Sequence, residues 1–200
     1  MKLENSFDVP APREAAWELL MDVPRVIPCM PGATLVETVD DSNWKADMNV
    51  KLGPIALTFA TDVSRASSDE AAGVVTLSAK AREKRGRGGA QAQIESSLTG
   101  IDGGTRVDIV TDLTLSGAVA QYGRGIVQDV SGQLVDRFAD CLKAQLAAST
   151  TGTEEANTEA AEAVAQQAKP VSGLTLGVGA FMRSIGRMFG RIFGRKPESP

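Results

Sequence analysis

Apolar and polar residues alternate with a period of two through most of the first 115 positions, and the period then changes to that of a helix. Leu3, Phe7 and Val9 set against Lys2, Glu4, Ser6 and Asp8 predict a first strand over 2–9. Pro10 and Pro12 end it, and Pro12 suits the start of a helix running from Arg13 to Met21 with Trp17, Leu20 and Met21 inward. Pro24, Pro28 and Pro31 leave room for only a short second helix around Arg25 to Ile27. From Ala33 the alternation resumes. Leu35 and Val39, then Trp44 to Leu52, Ile55 to Val63, Val75 to Ala81, Ala90 to Leu98 and Val107 to Leu115 read as six further strands. They are separated by turn signals at 40–43, Gly53-Pro54, 67–73, 85–89 and Asp102-Gly103-Gly104.

After a glycine-rich corner at 117–125, the residues Ile126, Val127, Val130, Leu134, Phe138, Leu142 and Leu146 recur at spacings of three and four. They predict a long amphipathic helix. The order strand, two short helices, six strands, long helix predicts an α+β domain whose antiparallel sheet buries one face. The long helix is its cover, with the two short helices near one end. A curved sheet gripping a helix leaves space between them in which an apolar molecule would fit.

The inward positions Trp44, Met48, Leu57, Phe59, Leu77, Ile94, Leu113 and Leu115, faced by Tyr122, Ile126, Val130, Leu134 and Phe138, are the candidate lining of that space. Each would serve equally as plain core. Small inward residues (Ala79, Ala90, Ala92, Ser96) leave room rather than fill it. The glycines Gly117, Gly123 and Gly125 fit neither a P-loop nor a dinucleotide fingerprint, and are read as tight turning and close helix approach.

Charge changes the picture at the end of the chain. The net charge of −4 combines −5 over residues 1–147, −3 over 148–170 and +4 over 171–200. An acidic body argues against nucleic-acid binding. Its one basic cluster, Lys80, Arg82, Lys84, Arg85 and Arg87, lacks interleaved aromatics and reads as a solvated hairpin tip, with a docking surface for an acidic partner as the alternative. The chain has no histidine, which removes the usual general base and the commonest metal ligand. All clear Asp and Glu positions on the strands fall on the polar parity, so neither catalytic nor metal-binding residues are assigned. Cys29 and Cys141 are expected to be small core fillers with reduced thiols, not a disulfide or metal pair. The acidic first 25 residues do not resemble a secretory signal, and a cytoplasmic protein is expected. No apolar run reaches the roughly 18 residues needed to span a bilayer.

Residues 148–172 are rich in Ala, Thr, Glu and Gln and read as a linker. Beyond it FMRSIGRMFGRIFGRK repeats every four residues. Phe181, Ile185, Phe189 and Phe193 form one column, flanked by Met188 and Ile192, while Arg183, Arg187, Arg191 and Arg195, continued by Lys196, form another. Each glycine in this run costs a helix about 1 kcal/mol, so a surface must stabilise it. An anionic membrane offers about 1 kcal/mol per Arg or Lys, and partial burial of six large apolar side chains adds roughly 5–10 kcal/mol. The tail is therefore expected to be an interfacial membrane helix. Docking on a partner protein or on the acidic body is the other reading.

The stretches AAWELLMDVPRVIPCMPGATLVE (15–37), VKLGPIALTFATDVS (50–64) and LSGAVAQYGRGIVQDVSGQLVDRFADCL (115–142) resemble the CoxG family of carbon monoxide dehydrogenase proteins, within the helix-grip START/Bet v 1 (SRPBCC) superfamily. The resemblance covers residues 1–147. It implies an accessory protein, not an enzyme, that brings a molybdenum hydroxylase of the carbon monoxide dehydrogenase type to the membrane. The superfamily implies a cavity for lipids, sterols, quinones or other apolar molecules, and no other cofactor. Together these give a helix-grip domain over 1–147, a linker over 148–172 and a membrane-binding tail over 173–200, peripheral on the cytoplasmic face of the cell membrane. The sharpest expectation is a carrier moving a quinone between bilayer and enzyme. The competing expectations are an adaptor without ligand, a maturation factor and a small-molecule enzyme.

Overall fold

The computed structural model describes residues 1–52 and 55–151. The expected linker beyond that point and the expected membrane-binding residues Phe181 to Lys196 lie outside the described residues, as does the Gly53-Pro54 break. The strands are β1 (Lys2–Val9), β2 (Ala33–Asp40), β3 (Asn43–Leu52), β4 (Ile55–Asp69), β5 (Val74–Glu83), β6 (Gly88–Ile101) and β7 (Gly104–Gly117). They form one curved antiparallel sheet in the order β1-β7-β6-β5-β4-β3-β2. Six of its strands therefore form an uninterrupted meander, and β1 closes against β7 with Leu3 opposite Thr111 and Phe7 opposite Val107.

Helix α1 (Arg13–Met21), the single turn α2 (Val23–Val26) and a 3-10 turn (Ile27–Cys29) link β1 to β2. Pro24 lies in the first turn of α2, where its missing N–H costs nothing, and the Asp22 carboxylate caps that turn by accepting from the Arg25 amide. A second 3-10 turn (Ala118–Tyr122) leads into α3 (Gly123–Thr151). At 29 residues α3 spans about 43 Å.

The glycine corner has a specific cause. Gly117 pairs with Gly88 across β6 and β7 and has φ +67°, and a Cβ placed there would lie 2.7 Å from the Gly88 Cα. The expected close helix approach is absent at Gly123 and Gly125, where an added Cβ would meet nothing within 4 Å. Gly123 instead turns the chain, with φ +74°. The close packing belongs to the strands.

The cysteines depart from expectation. Cys29 and Cys141 are joined in a disulfide, with Cα atoms 5.4 Å apart. Both are fully buried, and Gln145, one turn further along α3, donates to the Cys29 Sγ at 3.1 Å and to the Arg25 carbonyl at 3.3 Å. A separation of 112 residues in sequence says nothing about distance once α3 lies across the 3-10 turn. The expectation of free, reduced thiols is overturned, and the cytoplasmic assignment loses the support it drew from them.

Candidate ligand cavity and the family it belongs to

The inward faces of the strands form three separate apolar clusters. The largest joins Phe7, Val9, Trp17, Leu98, Val107, Phe138, Leu142 and Leu146 with neighbours from β1, α1, β6, β7 and the second half of α3. Within it Phe7 and Phe138 meet edge to face with ring centroids 6.1 Å apart. A second cluster holds Val23, Ile27, Trp44 and Ala46 under α2. A third holds Leu57, Phe59 and Val119, where the 3-10 turn after β7 folds back over β4.

Nine of the thirteen expected lining residues lie in or against these clusters, and four do not. Phe138 is buried in the first cluster, with Leu77 and Ile94 packed against it. Trp44 belongs to the second. Leu57 and Phe59 are core members of the third, with Met48, Leu115 and Tyr122 at its edge. Leu113, Val130, Leu134 and Ile126 belong to none. Val130 is buried and Leu113 and Leu134 are half-buried, but Ile126 is 47% exposed, outside any enclosed lining, because the first turn of α3 extends beyond its cover. Clusters of this kind commonly comprise one contiguous core and smaller satellites. Half-buried Ala79, Ala90, Ala92 and Leu113, inward in strand register, belong to none of the three, nor does half-buried Leu134 on α3, while Ala81 packs against the third.

Few polar groups reach this face. Asn5 donates to the Ser131 hydroxyl at 3.2 Å and ties β1 to α3. Arg65 donates to the Met21 carbonyl at 2.8 Å and lies over the Trp44 ring at 5.2 Å, closing the sheet against the end of α1. Thr61, between Ala46 and Ala81 in register, has a hydroxyl shielded from solvent and without a hydrogen-bond partner among the described residues.

Glu83 corrects the sequence reading. It lies on the inward parity at the end of β5 and is 5% exposed. Burial raises its carboxyl, but donation from the Arg87 and Arg85 amides at 3.1 and 2.8 Å outweighs this and holds it below the ordinary glutamate range. Both amides of the turn that follows donate to its Oε2, so it braces the hairpin tip. No group of three potential metal ligands occurs among the described residues.

A groove of about 400 Å³ lies elsewhere, lined by Arg13, Glu14, Trp17, Glu70 and Ala71. It contains none of the expected lining residues. Arg13 spans it, donating to the Glu70 and Ala71 carbonyls and so fastening α1 to the β4–β5 turn.

The model of the carbon monoxide dehydrogenase CoxG family matches residues 6–147. The chain belongs to that family. A conserved protein from Geobacillus kaustophilus has the same fold as this CoxG domain, with a TM-score of 0.67 at 20% identity over 74% of this chain and 97% of its own. Ara h 8.0201 superposes with a TM-score of 0.51 at 16% identity, over 73% of this chain and 97% of its own. A protein from Rhizobium leguminosarum does so with a TM-score of 0.51 at 13% identity, over 73% and 93%. At these identities the likeness shows the fold, which is the helix grip of Bet v 1-like proteins. No protein of curated function matches the chain. The expected family, fold and antiparallel sheet are thus borne out for the CoxG domain. Among the described residues no helix is long and apolar enough to cross a membrane.

Proposed function

We propose that this chain is a non-catalytic accessory protein of a molybdenum hydroxylase of the carbon monoxide dehydrogenase type. Its helix-grip domain holds an apolar ligand, and its C-terminal tail attaches it to the surface of a membrane. The observation that carries the ligand reading is the division of the inward face into three clusters with half-buried alanines, Leu113 and Leu134 between them. Small residues on the sheet under a long helix leave volume that side chains do not fill, and an apolar guest gains about 25 cal/mol per Å² of surface removed from water there. The family supports the enzyme partner. The Phe and Arg columns of residues 181–196 support the membrane.

A quinone fits these requirements: a flat apolar ring, lipid-borne, able to connect a dehydrogenase with a respiratory chain. Mass spectrometry of organic extracts from the purified full chain tests this directly. A stoichiometric quinone or lipid is expected. An empty extract, repeated after incubation with quinone-loaded vesicles, leaves an adaptor without cargo. Deleting 173–200 is expected to abolish sedimentation with anionic vesicles while the domain stays folded, since the Geobacillus kaustophilus protein is matched over 97% of its length by 74% of this chain. Sedimentation that survives the deletion overturns the tail assignment. Enzyme produced without this protein is expected to keep its activity with artificial electron acceptors, and its loss in that assay would indicate a maturation factor.

A further inference from the structure

The meander separates charge along the strands. At one end lie the β2–β3, β4–β5 and β6–β7 turns, which carry Asp40, Asp41, Asp69, Glu70 and Asp102, all exposed. At the other end lie the β5–β6 tip, the 3-10 turn after β7 and the first turn of α3, which carry Lys84, Arg85, Arg87 and Arg124, also exposed. Of the acidic groups near this second end, Glu83 is buried beneath the tip and Asp47 pairs with Lys84 at 2.6 Å, while Asp129 is exposed on the second turn of α3. Arg85 and Arg124 form no ion pair among the described residues.

This basic end is rigidly held. Glu83 accepts from the amides of Arg85 and Arg87, the Lys84 amide donates to the Thr58 carbonyl, and the Ala118 amide donates to the Arg87 carbonyl at 2.8 Å. The tip is therefore fixed to β4 on one side and to the corner before α3 on the other. Beside the cations Ile126 is 47% exposed and Tyr122 half-buried, an apolar and aromatic fringe to a positive surface.

We propose that this end of the domain docks on an anionic lipid surface, through Arg85, Arg87, Arg124 and Ile126, and so orients the domain with its acidic turns away from the membrane. The proposal rests on the membrane reading above and adds an orientation to it. A plane of negative charge attracts the basic end and repels the acidic one, whereas a protein partner would need a complementary shape around a convex tip. Arginine beside exposed Ile and Tyr is the composition of an interfacial contact. The tail can reach the same surface. Residue 151 lies about 43 Å along α3 from the basic end, and residues 152–180 can extend to at most roughly 95–105 Å.

The test uses the full chain with vesicles of 30% phosphatidylglycerol in phosphatidylcholine, and a fluorophore on a single new cysteine at Ile126→Cys or Asp41→Cys. Spin-labelled lipid is expected to quench the probe at position 126 and not at 41. The triple variant Arg85→Gln, Arg87→Gln, Arg124→Gln is expected to lose that quenching and to partition at least about tenfold more weakly, with no change on vesicles of pure phosphatidylcholine. Its unfolding midpoint serves as the check on folding, and Arg106→Gln is the control, since Arg106 pairs with Asp8 at 3.2 Å near the start of β7, at the acidic end. A chain that does not partition at all overturns the membrane reading and the orientation with it. A chain that partitions while its probe at 126 stays unquenched, or is quenched no more than at 41, overturns the orientation alone and leaves the basic end to an acidic protein.

Discussion

The two halves of α3 carry the same kind of apolar stripe and end up in different surroundings. In the second half Phe138, Leu142 and Leu146 are buried against β1, β7 and α1, and the disulfide from Cys141 fastens the helix to the turn at Cys29. In the first half Ile126 is exposed and Val127 and Leu134 are not fully covered, although their spacing is identical. The difference lies in what faces them. The second half meets Phe7, Val9 and Trp17, and the sheet between the clusters offers Ala79, Ala90 and Ala92. The second half of the helix is packed cover, while in the first half only Val130 of the stripe is buried.

Truncation distinguishes the halves most strongly. Phe138→Ala is expected to destabilise the domain by about 3–5 kcal/mol and Leu142→Ala by about 2–5, because each removes packed atoms from a filled region. Leu134→Ala is expected to cost less than about half as much, since less of its surface is in contact. Urea unfolding of the three variants measures this. Equal losses at 134 and 142 would mean that the helix is packed along its whole length and that the proposed space does not exist.

The disulfide sharpens the comparison next. Removing it with Cys29→Ser and Cys141→Ser together is expected to cost about 2–5 kcal/mol, the range for loss of a native disulfide. Thiol titration of the denatured chain is expected to find no free thiol before reduction and both afterwards. The loosened element is the second half of α3, so amide exchange should rise there and at the 3-10 turn, not in the β3–β6 meander. Two free thiols in the untreated protein would remove the bond from the comparison and restore the reduced pair that the sequence led us to expect.

How much of this was legible in the sequence follows from the range of each interaction. Strand parity is a local property, so the meander, the inward set and the helix stripe could be read from alternation alone. The disulfide depends on where α3 crosses the first 3-10 turn, which no local pattern records. The division of the core was half legible: small inward residues indicated room, but that Val119 would fold back onto Leu57 and Phe59 could not be seen in a stretch that reads as a glycine corner. Ile126 belongs to the stripe by spacing and falls outside it because the helix begins before its cover does. Glu83 was hidden by its place at the end of a strand, where alternation stops being informative. A signal was present nonetheless: a carboxylate on the apolar parity immediately before a turn of basic residues is where amides need an acceptor.

A finer test concerns Thr61 on the sheet beneath the proposed space. Its buried hydroxyl has no hydrogen-bond partner among the described residues, a cost that a methyl group of the same shape avoids. Thr61→Val is expected to leave stability unchanged or raise it by up to about 1 kcal/mol, measured by thermal and urea unfolding. A clear loss would mean that the hydroxyl is paired in solution and that the face is more polar than the cluster boundaries suggest.

The smallest effect concerns the basic end, and here sign matters more than size. The folded-state carboxyl of Glu83 lies below its ordinary range because two amides donate to it. A group depressed on folding adds stability that is fully present above its unfolded value, near pH 4.3 to 4.5, and is lost as pH falls through the folded value. Glu83→Gln should therefore lower the unfolding midpoint at neutral pH and flatten the acid limb of the stability curve, leaving the amide oxygen as a weaker acceptor for the same turn. Asp40 is also depressed, by the Ser42 amide first and then by the Asn43 side chain, but it is exposed in the β2–β3 turn and holds nothing beyond that turn. Asp40→Asn should alter the acid limb while leaving the tip untouched. If the two substitutions instead had the same effect on vesicle binding, the brace under Arg85 and Arg87 would not be what positions the basic end, and its rigidity would have to come from the strand pairing at Gly88 and Gly117 alone.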